Sequence, residues 1–284
     1  MTYEYAPVPG CPQHPRFAPD AFCAALRGRN LVIIGDSMSH QMYANAALVL
    51  AFGNARPPGG GFRDHIKGQR LSTQICNASR VFFTRSVQLM LDDNPRFRNY
   101  TRGTAKDEKW SESLRRGEMG ADPVVVMNCG MHEPRAEPNA TLAATSSRFF
   151  ISALSFVRAA LPLATVVART TSPAHFPCTN TSAAVLLGMS PSPIPRYSAQ
   201  QLALMKPWER PRDGRRIERN DMLRAALSGP TAPVGVLLLD IERLSRLRPD
   251  RHKKPPLDCV HYEIPSDPVI TWLEQLQLIL VAAG

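Results

Sequence analysis

The sequence has no run of about 18 apolar residues, so no segment reads as a membrane-spanning helix. Its opening stretch, MTYEYAPVPGCPQHPRF, has neither a basic n-region nor an apolar h-region, so it does not read as a signal peptide. There is no internal repeat, no zinc-finger spacing, no glycine-rich phosphate loop and no RNP-like aromatic strand. The usual sequence marks of nucleic-acid binding are therefore missing, despite a net charge of +10. The G-x-S-x-G elbow of ordinary α/β-hydrolases is absent. So is H-E-x-x-H, since HEPR at 132–135 lacks the second histidine. Apolar residues are not scarce: 284 residues at 44% hydrophobic and 20% charged can bury a sizeable core, as one large domain or two small ones. Disorder is excluded by the same composition.

Two features bear on the compartment. Six cysteines (Cys11, Cys23, Cys76, Cys129, Cys178, Cys259) are compatible with disulfides without requiring them. Four N-x-S/T sequons stand at Asn77, Asn99, Asn139 and Asn180. Together they favour a secretory-pathway lumen over the cytosol, with any signal or anchor missing from this chain. Basic residues crowd RPRDGRRIER (210–219) and RLRPDRHKK (246–254). They are either a solvated face or a surface attracted to a polyanion.

Short β-branched runs recur at 31–35 (LVIIG), 81–83 (VFF), 124–128 (VVVMN), 164–169 (ATVVAR) and 234–240 (VGVLLLD). They read as strands buried on both faces, which need not alternate. Helical patterns lie between them, from Ser37 to about Phe52, about 141–161, about 215–228 and about 267–282. Alternation of this kind predicts an α/β fold: a three-layer α/β/α sandwich with a mostly parallel sheet. A long irregular insertion is expected at about 171–214.

Ligands of parallel α/β sheets bind at the carboxyl ends of the strands. Three predicted strands end in polar residues there: Gly35-Asp36-Ser37, Asn128-Cys129-Gly130 and Arg169-Thr170-Thr171-Ser172. Ser37 is either the cap of the following helix or a nucleophile. A nucleophile needs a base and the base needs an orienting partner. Asp258 and His261, three apart in LDCVHYEIPSDP, would share one side of a helical turn. Asp258, Cys259 and His261 could also ligate a metal, but no second pair completes a zinc set, and no metal site is expected.

Four blocks, in order, resemble the trichome-birefringence-like (PC-esterase) family of polysaccharide O-acetyltransferases, within the SGNH/GDSL superfamily. They are CPQHPRFAPDAFCAALRGRNLVIIGDSMSHQM, ADPVVVMNCGMHE, ARTTSPAHFPC and LDIERLSRLRPDRHKKPPLDCVHYEIPSDPVITWLEQL. The chain departs from the family at His40, at Met131-His132-Glu133 and at Tyr262-Glu263. The resemblance implies one SGNH-hydrolase-like catalytic domain over 1–284, with Ser37 as nucleophile, His261 as base and Asp258 orienting it. The Ser37 N–H and the Asn128 side chain would hold the oxyanion, with Gly130 allowing close approach. Arg169 and His175 would line the substrate cleft, and Asp36 would be an anchor or a site residue. The implied activity is acetyl transfer to a cell-wall or secreted polysaccharide, in the Golgi lumen, with no bound cofactor and an acetyl donor as co-substrate. A carbohydrate acetylesterase and a non-catalytic polysaccharide-binding protein are the alternatives. The resemblance also implies a Cys178–Cys259 disulfide; it leaves Cys11, Cys23 and Cys76 unassigned.

Overall fold

A computed structural model describes residues 17–53, 70–86, 89, 110–128, 139–173, 213–230, 232–246, 248, 251–254 and 258–284. The strands that build the sheet are β1 (Leu31–Gly35), β2 (Arg70–Ile75), β3 (Ser79–Arg85), β4 (Val124–Met127), β5 (Thr165–Arg169) and β6 (Val236–Leu239). The helices are α1 (Pro19–Leu26), α2 (Ser37–Phe52), α3 (Trp110–Arg115), α4 (Asn139–Ala160), α5 (Asp213–Ser228), α6 (Glu242–Arg246) and α7 (Asp267–Ala283). A separate two-stranded ribbon pairs β7 (His252–Lys254) with β8 (Asp258–Tyr262).

The six-stranded sheet has the order β2-β3-β1-β4-β5-β6. All its pairs are parallel except β2 with β3, an antiparallel hairpin at one edge. Every residue of β1 and β4 is buried, which is why these segments are unbroken apolar runs. Alternate residues serve two separate apolar clusters. Leu31, Ile33, Val124, Val126 and Val167 pack with α1, α2 and α7, through Phe22, Met42, Trp272 and Leu276. Val32, Ile34, Val125, Met127 and Val166 pack with α3, α4 and α5, through Trp110, Leu154 and Leu223. Among the described residues, no helix is long and apolar enough to cross a membrane.

The strand order fixes where chemistry can sit. From β1 the chain moves by α2 toward β3; it then crosses to β4 on the other side of β1 and continues outward to β5 and β6. The connections leaving β1 and β4 thus diverge, which makes the region beyond their carboxyl ends the switch point where such sheets have a ligand crevice. Ser37 follows β1 at this switch point and Asn128 follows β4. At the end of β1, a Cβ on Gly35 would collide with Ser39 Oγ and the Asn128 carbonyl, so only glycine lets these chains approach so closely.

Helix α2 is unusual in being enclosed nearly all round. Residues 38, 39 and 41–49 are all buried, with alanines at 44, 46 and 47 allowing close approach. Its buried polar residues must therefore find partners inside the protein. A disulfide joins Cys23 on α1 to Cys76 in the β2–β3 loop, which resolves one pair among the three cysteines that sequence leaves open. The expected Cys178–Cys259 bond, like most of the insertion at 171–214, lies outside the described residues.

Candidate active site

At the α2 N-terminus the capping reading of Ser37 gives way to Asp36. The N-cap is Asp36, whose carboxylate accepts from Met38 N at 2.9 Å and Ser39 N at 3.4 Å. Ser37 is the first helical residue and is half-buried, so its hydroxyl is not needed for capping. That hydroxyl lies 2.8 Å from His261 Nε2. Being first in the helix, the Ser37 N–H has no carbonyl partner within it. The positive end of the helix dipole also favours negative charge developing here.

His261 and Asp258 come together by a different local geometry from the helical turn expected. They lie on β8, where residues three apart would ordinarily face opposite ways. The ribbon breaks that alternation. His252 pairs with Tyr262 and Lys254 with Asp258, so two steps on β7 span four on β8. The extra residues form a bulge, a device that re-aims side chains. Asp258 stabilises the bulge itself, as its Oδ1 accepts from Val260 N at 3.1 Å and His261 N at 3.0 Å. Its Oδ2 then sits 2.9 Å from His261 Nδ1. With Nδ1–H donated to the carboxylate, Nε2 is left with its lone pair toward Ser37. Burial pushes the Asp258 carboxyl up. The hydrogen bonds and charge of His261, with the N–H of Val260, outweigh this and hold it well below the usual carboxylate range. The two side chains are 33% and 30% exposed, so the row opens to solvent at the His261–Asp258 end.

His252, which sequence reasoning did not single out, holds the bulge from the opposite side. Its Nδ1 donates to the His261 carbonyl at 3.2 Å, and its ring stacks on Tyr262 with centroids 4.8 Å apart. In the sequence it closes the R-P-D-R-H of the fourth resembling block, which marks the segment but not this role.

The other expected site residues lie deeper. Asn128 is buried, and its amide nitrogen donates to the Arg169 carbonyl at 3.0 Å and to Thr171 Oγ1 at 3.1 Å. Both of its N–H bonds are thus already engaged, and in this arrangement the side chain has none left for an oxyanion. Arg169 is fully buried, so it offers no surface to a glycan. It donates from Nη2 to Ser39 Oγ at 3.0 Å and lies 5.0 Å from the Trp272 ring centre. Burial pushes its guanidinium down to about 10, against the opposing attraction of Asp36. Asp36 is equally buried and acts as helix cap and counter-charge rather than as a substrate contact. Gly130 and His175 lie outside the described residues. The structure thus brings Ser37, His261 and Asp258 into one hydrogen-bonded row, above a buried layer of Asp36, Ser39, Asn128 and Arg169. No protein-family model matches the chain, and no curated protein matches it.

Proposed function

We propose that this protein is a serine acyltransferase, an O-acetyltransferase of the SGNH type that acetylates a polysaccharide by double displacement. The observation that carries the reading is the hydrogen-bonded row Ser37 Oγ–His261 Nε2–Nδ1–Asp258 Oδ2, with links of 2.8 and 2.9 Å. A serine hydroxyl is a poor nucleophile at neutral pH, and a neutral imidazole oriented by an ionised carboxylate makes it competent. The four-block resemblance supplies the acetyl group and the glycan acceptor. In the same reading the helices on the two faces of the sheet are the outer layers of an SGNH-type three-layer sandwich. The resident compartment is the Golgi lumen.

The steps follow from these atoms. His261 Nε2 takes the Ser37 proton as Oγ attacks the donor's acetyl carbonyl. The tetrahedral oxyanion forms beside the Ser37 N–H, which no carbonyl of α2 satisfies, and the α2 N-terminus. Its collapse breaks the bond to the donor's leaving group, which receives the proton from His261. An acceptor hydroxyl then gives its proton to Nε2 and attacks the acetyl-serine; collapse transfers the acetyl group and returns the proton to Ser37. The accessibility of His261 and Asp258 favours a second reading, a carbohydrate acetylesterase, in which water takes the acceptor's place.

The test is incubation with an acetyl donor and a glycan panel, reading acetylated glycan against free acetate by mass spectrometry. Wild type should form acetylated glycan and a serine-linked acetyl adduct; Ser37→Ala should form neither while keeping its fold. Free acetate without acetylated glycan would establish the esterase instead. Turnover by a folded Ser37→Ala protein would refute both readings.

A further inference from the structure

The geometry points to Gln41 as a positioning residue that sets the distance between Ser37 and His261. Ser37, Gln41 and Asn45 stand at i, i+4 and i+8 on α2 and so form one stripe along the helix. Each bonds to a different point of the C-terminal segment. Ser37 meets His261, Gln41 meets Tyr262 and Asn45 meets Ser266. The Gln41 contact is two-sided: its Nε2 donates to the Tyr262 carbonyl at 2.6 Å, and its Oε1 accepts from Tyr262 N at 3.0 Å. Gln41 therefore grips both backbone groups of the residue next to the base, as a partner strand would. Asn45 secures the next turn of chain, accepting from Ser266 N at 2.8 Å.

These bonds hold the outer face of a short ribbon. Among the described residues the β7–β8 pair is a two-stranded sheet by itself, and its register shifts between His252 and Lys254, opposite the stretch that holds His261. Gln41 is 4% exposed, so water cannot readily replace it. Its side-chain hydrogen bonds go to the Tyr262 peptide, and it acts on His261 through that peptide. The inference rests on the serine acyl-transfer reading, because the distance it sets matters only if His261 takes a proton from Ser37.

The experiment uses the full chain with p-nitrophenyl acetate as probe. It compares wild type, Ser37→Ala, Gln41→Leu and Gln41→Glu. It measures kcat, KM and backbone amide exchange over residues 258–263. Gln41→Leu should lower kcat about 100-fold with KM within about twofold, because a displaced base costs turnover rather than binding. Its Tyr262 amide should exchange faster than in wild type. Gln41→Glu should be as impaired at neutral pH, where a carboxylate would face the Tyr262 carbonyl. Its activity relative to wild type should recover as the pH falls, because a neutral carboxyl has one donor and one acceptor where the amide has them. If Gln41→Leu does not fold, that recovery alone decides: a flat ratio across pH overturns the inference. A folded Gln41→Leu with wild-type kcat overturns it while leaving the acyl-transfer reading intact. If wild type and Ser37→Ala turn over the probe equally, the acyl-transfer reading fails and the catalytic role of Gln41 falls with it.

Discussion

Asp36 has two jobs that substitution can separate. It caps α2 through Met38 N and Ser39 N, and it is the buried negative charge that opposes the desolvation of Arg169. Asparagine is as good an N-cap as aspartate, so Asp36→Asn removes the charge and keeps the cap. Burial already lowers the Arg169 guanidinium from 12.5 to about 10, which corresponds to about 3 kcal/mol against its charged form. The unfolded chain holds that proton more tightly, so the cost applies throughout the range below pH 10 and fades only as pH rises above it. Removing one member of a buried charge pair usually costs about 3–5 kcal/mol. The low end, about 3, is expected here, because Ser39 and the Trp272 face still hold the guanidinium. Asp36→Ala also loses the cap and should cost about 1 kcal/mol more.

Urea unfolding at pH 7, followed by tryptophan fluorescence and circular dichroism, measures these differences. The decisive variant is the double one, Asp36→Asn with Arg169→Met. Once both charges are gone, an apolar chain of similar length fills the site against Trp272. Stability should then return to within about 1 kcal/mol of wild type, which in a double-mutant cycle is a coupling of about 2 kcal/mol or more. If Asp36→Asn lies within about 0.5 kcal/mol of wild type, Asp36 does not balance Arg169, and its burial serves the cap alone.

Asp258→Asn should lower kcat roughly 10⁴-fold with the fold retained, since the amide no longer fixes the tautomer that offers Nε2 to Ser37; steady-state kinetics on an activated acetyl ester checks this. The depressed Asp258 carboxyl adds stability above the ordinary carboxylate range, and this is lost as pH falls toward its folded value. Acid titration of wild type against Asp258→Asn should therefore show the gap between them closing at low pH. Breaking the Cys23–Cys76 bond, with 53 residues of separation, should cost about 4 kcal/mol of stability, measured by denaturant unfolding of the Cys23→Ala/Cys76→Ala variant.

Sequence reveals those parts of this fold that a single physical demand shapes. Buried parallel strands must be apolar, so LVIIG, VVVMN and ATVVAR mark β1, β4 and β5 to within a residue. The same holds for α2 and α7, predicted to about Phe52 and 282 and found to end at Phe52 and Ala283. Strand β2 escapes because it lies at an edge. RLSTQI needs no apolar run there, and its hairpin turn uses Cys76 and Asn77 at positive φ rather than a glycine. The row at the candidate site is legible in residue type but not in geometry. D-x-x-H suggests a helical turn, whereas a bulged ribbon brings the two side chains together, and a bulge has no periodic signature. The resemblance also places Arg169 in a cleft, because a strand-end arginine reads as a ligand for substrate. Burial can be judged only when α7 is seen to bring Trp272 over it.

The basic surface shows how composition can mislead. A +10 charge with two arginine-rich segments suggests a polyanion track beside the D-x-x-H loop. In the segment nearest that loop, the structure gives much of the charge internal work. Arg246 pairs with Glu242, while Arg248 and Arg251 both reach Asp267 at the start of α7, at 3.4 and 2.8 Å. The Arg246–Glu242 pair is internal to α6, while the two Asp267 contacts tie the chain after α6 and the start of the ribbon to α7. The latter belong with the Gln41 and Asn45 bonds as part of what holds His261 in place. In the first segment Arg219 is itself buried. The net charge still attracts anions at long range, and salt should screen that attraction for any acidic acceptor. A built anionic subsite needs cations free to leave their partners, and Arg248 and Arg251 are paired with Asp267 beside the ribbon that carries His261. Reversing their charge should therefore loosen the ribbon and lower kcat for neutral and acidic acceptors alike. Reversal at exposed Lys253 should act, if anywhere, on KM for the acidic one.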